Sequence, residues 1–309
     1  MEDHLRAMLL GAFVGDSLAL GVHWIYDLSI LDREFGIVKE YLDPGPNSYH
    51  PTKKKGEFTH YGDQMLLLLE SLAEEKGFDA LSFSKKWRSF MEGYRGYRDQ
   101  ATLLTLQNLN QGVHFEKAGS PSNDFSGAVR SGILGYLYGP QPHLFERYAA
   151  IQTSLTHRDP DTILCSRFLA RLLSQIIGGQ SPLEAIKRLV SQDFSGTNLS
   201  LWVQEALSFQ GTVREAVLRF GQSCHTPELF PGLISLIGRY EGDLEAAMIE
   251  AIMAGGDNAT RASATGMILG LYHGTRSIPP RWIEGLSALR RIEELMEILK
   301  PLRSDGWGN

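Results

Sequence analysis

Cysteine is nearly missing from this 309-residue chain, which carries Cys165 and Cys224 and no others. Two thiols in a protein of this length make no disulfide framework, so a reducing, cytoplasmic setting is expected. An excess of charge of one sign is missing as well. The formal net charge is -6 with acids and bases interspersed, and Lys53-Lys54-Lys55 is the one local basic cluster, so the footprint of a nucleic-acid-binding surface is absent. No segment reads as long and apolar enough to span a bilayer, and the apolar N-terminal stretch is broken by Gly15-Asp16, which argues against a secretory signal. Neither nucleic acid nor a membrane is an expected partner, and the sequence carries no signature of an oligomeric state. Cys/His zinc spacing, a Walker loop and a Gly-x-Ser-x-Gly elbow are all lacking. So is the period-two alternation of half-buried strands.

What the chain has instead is apolar residues at helical spacing. They predict helices over residues 5–20, 63–75, 81–94, 100–111, 128–138, 145–153, 160–177, 182–190, 199–210, 212–220, 229–240, 243–254, 262–272 and 288–299. The expected fold is all-α, a single compact multi-helix domain over residues 1–302, with a frayed tail at 303–309. Two connections, residues 35–62 and 112–126, are too long and peculiar for simple turns, and long irregular loops on a helical scaffold are usually functional or mobile.

The most informative run is Gly255-Gly256-Asp257-Asn258-Ala259-Thr260-Arg261. The glycines suit a left-handed helix stop, and Asp257 or Asn258 is placed to cap the next helix. A carboxylate, an amide and a hydroxyl thus gather where free backbone N–H groups point outward, a corner able to hold a hard cation or a phosphate. Near the other end, Gly11 and Gly15 let a second backbone approach closely. Asp16 must then find a donor or cation inside, either a neighbouring helix start or a ligand. His23 follows two turns later on about the same face. Asp63 reads as a helix cap, whereas His60 and Tyr61 are not needed for capping. Thr156-His157 and Gly127-Ala128-Val129-Arg130 open two further helices. Cys224-His225 lacks an orienting acid nearby and reads as structural.

Together these helix starts resemble the ADP-ribosylglycohydrolase family, an all-α fold that normally holds two magnesium ions beside ADP-ribose. Gly15-Asp16-Ser17-Leu18 looks like its first glycine-aspartate motif, Gly127-Ala128-Val129-Arg130 like its ribose-side loop and Thr156-His157 like its middle histidine motif. Gly255-Gly256-Asp257-Asn258-Ala259-Thr260 is similar to the closing Gly-Gly-Asp-Thr-Asp-Thr metal motif. Departures fall on the chemistry. His60-Tyr61-Gly62-Asp63 stands where the family has Thr-Asp-Asp-Thr, Ala259 replaces the second closing aspartate, and His23 replaces a glutamate. The set His23 to Asp27 with Thr59 to Gln64 resembles a divergent branch of the superfamily that includes lens crystallins and a selenoprotein.

The resemblance implies a hydrolase acting on a glycosidic bond of an ADP-ribose-type ligand or an ADP-ribosylated substrate. Asp16, His23, His60 and Asp63 are then the catalytic candidates. Tyr61, Gly127, Arg130 and His157 are the ligand-binding candidates, and Asp63, Asp257, Asn258 and Thr260 the metal ligands. With three carboxylates gone, at most one Mg²⁺ is expected, and a metal-free site is equally consistent. The rival readings are an inactive ADP-ribose-binding or crystallin-like protein, and a metal-free hydrolase using a histidine base oriented by Asp16 or Asp63.

Overall fold

Short polar side chains set where the helices begin. Asp27, Thr59, Asp79, Asp99, Asp159, Ser181, Thr197, Thr212, Asp243 and Asp257 each accept a hydrogen bond from an N–H of the first turn that follows. In this computed structural model, which describes residues 1–303, the chain order is α1 (Glu2–Ala19), α2 (Leu28–Phe35), α3 (His60–Glu75), α4 (Ala80–Glu92), α5 (Gln100–Asn110), α6 (Ser126–Ser131), α7 (Gly135–Tyr138), α8 (Pro142–Ser154) and α9 (Pro160–Ile177). There follow α10 (Pro182–Ser191), α11 (Asn198–Ser208), α12 (Val213–Phe220), α13 (Thr226–Tyr240), α14 (Leu244–Met253), α15 (Asn258–His273), α16 (Pro280–Glu284) and α17 (Leu289–Leu299). The fold is all-α, with no strand among the described residues.

Several expectations change in detail. α2 and α16 were not expected from the apolar spacing. The helix expected over residues 128–138 is interrupted by a 3-10 turn, Gly132–Leu134, where Gly132 comes against Met267 Sδ of α15. α3 starts at His60, so Thr59 and not Asp63 is its cap. Of the expected tail, Arg303 is buried, its guanidinium over the Tyr136 ring and bonded to Glu2; residues 304–309 lie outside the described residues. Contrary to the reading that no segment could span a bilayer, Glu2–Val22 is long and apolar enough by length and composition. Nearly all of it is buried inside the molecule, as befits the central helix of a core.

That burial comes from α15. The two helices run antiparallel through the centre, and glycine is what lets them meet. A Cβ on Gly11 would stand 2.1 Å from the carbonyl oxygen of Gly266, and one on Gly15 would stand 2.4 Å from the Ala262 carbonyl carbon. Any side chain there would force the backbones apart. The pairing of 11 with 266 and 15 with 262 brings the end of α1 to the start of α15. His23 and the Asp257 corner therefore become neighbours although 234 positions separate them.

Candidate functional site

After α1 the chain makes a 3-10 turn, Leu20–Val22, and then leaves the helix at His23 with extended geometry. Trp24 follows with φ 63°, a left-handed conformation that a bulky residue adopts only when its surroundings hold it there. The hold is a pair of backbone bonds: Trp24 N–H donates to Gly256 O at 3.0 Å, and Gly256 N–H donates to Ile25 O at 2.8 Å. Gly255 and Gly256 have φ 68° and 61°, and a Cβ on Gly256 would lie 2.1 Å from Gln222 O. The turn is thus closed to any other residue at 256, and it aims Asp257 inward.

Asp257 caps α15, its Oδ1 accepting from Thr260 N–H at 3.2 Å, while its Oδ2 is buried with no partner. Burial, with the nearby Asp124 carboxylate second, pushes its pKa up to about 7. Asn258 donates to Val22 O and Ile252 O and turns its Oδ1 to His23 Nδ1 at 3.3 Å. His23 Nδ1 also stands 3.9 Å from Asp257 Oδ1. With Nδ1 donating to the amide oxygen, Nε2 of His23 is left as a buried acceptor without a partner. Burial, then His50 and His60, hold His23 well below the ordinary histidine range, so it is neutral.

Opposite this corner stands the start of α3. His23, His50 and His60 lie with ring centroids 5.3, 5.5 and 6.5 Å apart, walled by Trp24, Tyr61 and Tyr97. His60 Nε2 is 3.5 Å from Asp99 Oδ2, near enough for charge attraction, but neither ring nitrogen is aligned in a hydrogen bond. Burial alone would raise the Asp99 pKa. The His60 and His157 rings and the Thr102 side chain instead bring it well below the usual carboxylate range. His50 is held down to about 3, by burial first and His60 second. Tyr61 donates its hydroxyl to Asp124 Oδ2 at 2.9 Å, and Ser126 N–H donates to Asp124 Oδ1 at 2.8 Å.

Of the remaining sequence candidates Asp63 is half-buried and the others are buried, most of them in hydrogen bonds within the protein. Asp16 takes three donors from the beginning of α3: Thr59 N–H at 2.7 Å, Thr59 Oγ1 at 2.6 Å and Gly62 N–H at 3.1 Å. Of the two roles weighed for it, anchoring a neighbouring helix start is the one this geometry displays. Asp63 Oδ2 accepts from Lys53 Nζ and Tyr94 OH, both at 2.5 Å. Arg130 bridges Gln64 and Thr156, and Thr156 in turn meets His157 Nδ1 at 2.8 Å. Gly127 makes room for that ring, since a Cβ there would lie 2.5 Å from His157 Nδ1. Thr260 Oγ1 and His157 Nε2 are buried and unpartnered.

Sequence reading missed five participants: Asp99, Asp124, His50, Trp24 and Tyr97. Asp99 looks like a mere cap, and Asp124 and His50 sit in the two long loops whose length was the available signal. Cys224 has its surroundings corrected: Asp124 and Asp257 face it, each offering an oxygen within 4.8 Å of its sulfur. Burial, followed by those two acids, pushes its thiol far up, so the free protein keeps it protonated. A cleft of ≈ 350 Å³ borders the cage, lined by His23, Trp24 and Ile25 on one side and Asn47, Ser48 and Tyr49 on the other. That size falls in the range of small-molecule sites.

Residues 1–307 match the sequence pattern that defines ADP-ribosylglycohydrolases. The chain belongs to the ADP-ribosylglycohydrolase family. A protein of Archaeoglobus fulgidus with no stated function is 28% identical, the match covering 96% of this chain and 95% of that one. Crystallin J1A of Tripedalia cystophora is 25% identical, with 97% of each chain covered. The ADP-ribosylhydrolase ARH3 of Gallus gallus is 21% identical, covering 96% of this chain and 92% of its own. A solved structure titled as an ADP-ribosylglycohydrolase-related protein complex superposes with TM-score 0.70 at 22% identity over 98% of both chains, which supports the fold.

The magnesium pair usual in this family does not fit the residues present. Both oxygens of Asp16 are taken by α3, Asp63 is paired with Lys53, and His60, Tyr61 and Ala259 supply no carboxylate. Two hard divalent ions need several free anionic oxygens, and Asp257 Oδ2 is the one buried carboxylate oxygen here without a partner among the described residues.

Proposed function

We propose that this chain hydrolyses a glycosidic bond of an ADP-ribose-type ligand, without a magnesium pair. The observation that carries the reading is the cage itself, in which distant segments of an ADP-ribosylglycohydrolase chain bring His23, His50 and His60 together, with Asp257 beside His23, Asp99 beside His60 and Asp124 bonded to Tyr61, and of which His23 and Trp24 also line the cleft. Glycosidic cleavage passes through an oxocarbenium-like state that needs negative charge beside the sugar and a group to move a proton. Asp124 and Asp257 supply the acidic floor. His60 is the proton carrier, with the buried Asp99 carboxylate 3.5 Å from its Nε2 to offset the charge the ring takes up. Asp99, and not Asp16 or Asp63, is the acid beside this histidine. Lining the cleft beside the cage, Trp24 and Tyr49 offer apolar faces for the ligand's rings. The acceptor nitrogen of His23 suits a ribose hydroxyl.

Replacing His60 with Gln tests the assignment. Turnover of an ADP-ribosylated peptide or amino acid is expected to fall by at least ~100-fold with ADP-ribose affinity kept, since a general acid–base group contributes on that scale. Wild-type turnover in H60Q would refute it. A second reading, a binding or lens-type protein without turnover, draws on the likeness to crystallin J1A and on the missing carboxylates. It expects ADP-ribose binding in both proteins and turnover in neither.

A further inference from the structure

Asp124, Cys224 and Asp257 come from three segments, yet one oxygen of each acid and the thiol sulfur all lie within 4.8 Å of one another. The nearest cations, Arg261 and Arg130, act on these acids through space only, their hydrogen bonds going to Ala251 and Gly255 and to Gln64 and Thr156. Asp257 Oδ2 and Thr260 Oγ1 are buried without partners. Thr260 also lines a cavity of ≈ 10 Å³ with Tyr61 and Ser126, the two groups that hold Asp124. Leaving a buried carboxylate oxygen uncompensated is costly, and a bound cation removes the deficit.

The donor set selects the ion. Mg²⁺ demands hard oxygen ligands in near-octahedral geometry, and a thiolate does not serve it. One thiolate with two carboxylates matches a borderline ion such as Zn²⁺, whose catalytic sites use three protein ligands and leave a fourth position for water. We propose that Asp124, Cys224 and Asp257 form a mononuclear site for a thiophilic divalent ion, Zn²⁺ by preference, in the place where relatives would use hard cations. Metal–ligand bonds of about 2.0–2.3 Å require the three donors to draw together, with Asp124 using a lone pair that its bonds from Tyr61 and Ser126 leave open. Binding forms a metal–sulfur bond and releases the thiol proton to solvent. Two carboxylates, a thiolate and a divalent ion leave one net negative charge, so the floor of the cage stays acidic. The site concerns the resident ion and stands whether or not the glycosidic reading holds.

Cobalt(II) titration of the full chain after chelator treatment tests it without any nucleotide. The expected result is a one-to-one complex with a sulfur-to-cobalt charge-transfer band and four-coordinate visible bands. Stoichiometric Zn²⁺ displaces the cobalt, and excess Mg²⁺ does not. In Cys224→Ser, folded by circular dichroism, the charge-transfer band disappears. Asp257→Asn lowers cobalt affinity at least ~10-fold and serves as the second variant should C224S fail to fold. No band in the wild-type protein, the same band in C224S, equal cobalt affinity in D257N, or displacement by Mg²⁺ would each overturn the site.

Discussion

Replacing Asp257 with Asn should stabilise this protein at neutral and alkaline pH and leave it unchanged in acid. The carboxyl is buried, its Oδ2 has no donor, and its one hydrogen bond is the 3.2 Å contact from Thr260 N–H. Ionising it in that setting is unfavourable, which is why its pKa rises from 3.8 to about 7. The folded protein therefore binds a proton more tightly than the unfolded chain does. The stability this proton lends is complete below about pH 4 and is lost as pH rises through about 7. A shift of roughly three units, at 1.36 kcal/mol per unit, sets an upper bound of about 4 kcal/mol on the loss. Asn keeps the capping oxygen for Thr260 and carries no charge, so D257N escapes the loss. Denaturant unfolding of both proteins from pH 4 to pH 8, with a chelator to keep the site free of metal, should show curves that coincide in acid and diverge above pH 6 in favour of D257N. A wild type more stable than D257N at pH 8, or a difference that does not change with pH, would refute the reasoning.

The same logic gives opposite signs elsewhere. Asp16→Ala strips the Thr59 and Gly62 N–H groups of their acceptor and should destabilise by about 3 kcal/mol, read as a lower denaturation midpoint; a neutral effect would mean α3 does not depend on that anchor. Gly256→Ala adds a Cβ 2.1 Å from Gln222 O at a left-handed φ, and should cost at least ~2 kcal/mol while loosening Asp257. Near-native stability of G256A in thermal unfolding would mean the turn can relax.

The helices were mostly readable because their caps and apolar stripes are local properties. Thr212 with Glu215 forms a complete capping box, and Asp159-Pro160 announces α9 as helix-start rules expect. Errors arose where tertiary contact overrides the local signal. Asp63 has the chemistry of a cap, yet Thr59 caps because Asp16 reaches across from α1 to fix the turn before it. In the site, Gly11 and Gly15 signal a close backbone partner for α1, since small residues at helical spacing invite such approach, but they do not say that the partner is α15. Nothing local could say that Asp99, a serviceable cap for α5, turns its second oxygen to His60, or that Cys224 comes to rest between Asp124 and Asp257. Those are pairings across the fold, and a single sequence encodes them without displaying them.

Calorimetric titration of the chelator-treated protein with ADP-ribose, repeated after adding Mg²⁺, tests the central claim most directly. The cage and its cleft are expected to bind ADP-ribose in the absence of Mg²⁺, with an affinity that added Mg²⁺ leaves unchanged. Silence in both titrations, or binding that appears only with Mg²⁺, would contradict the account.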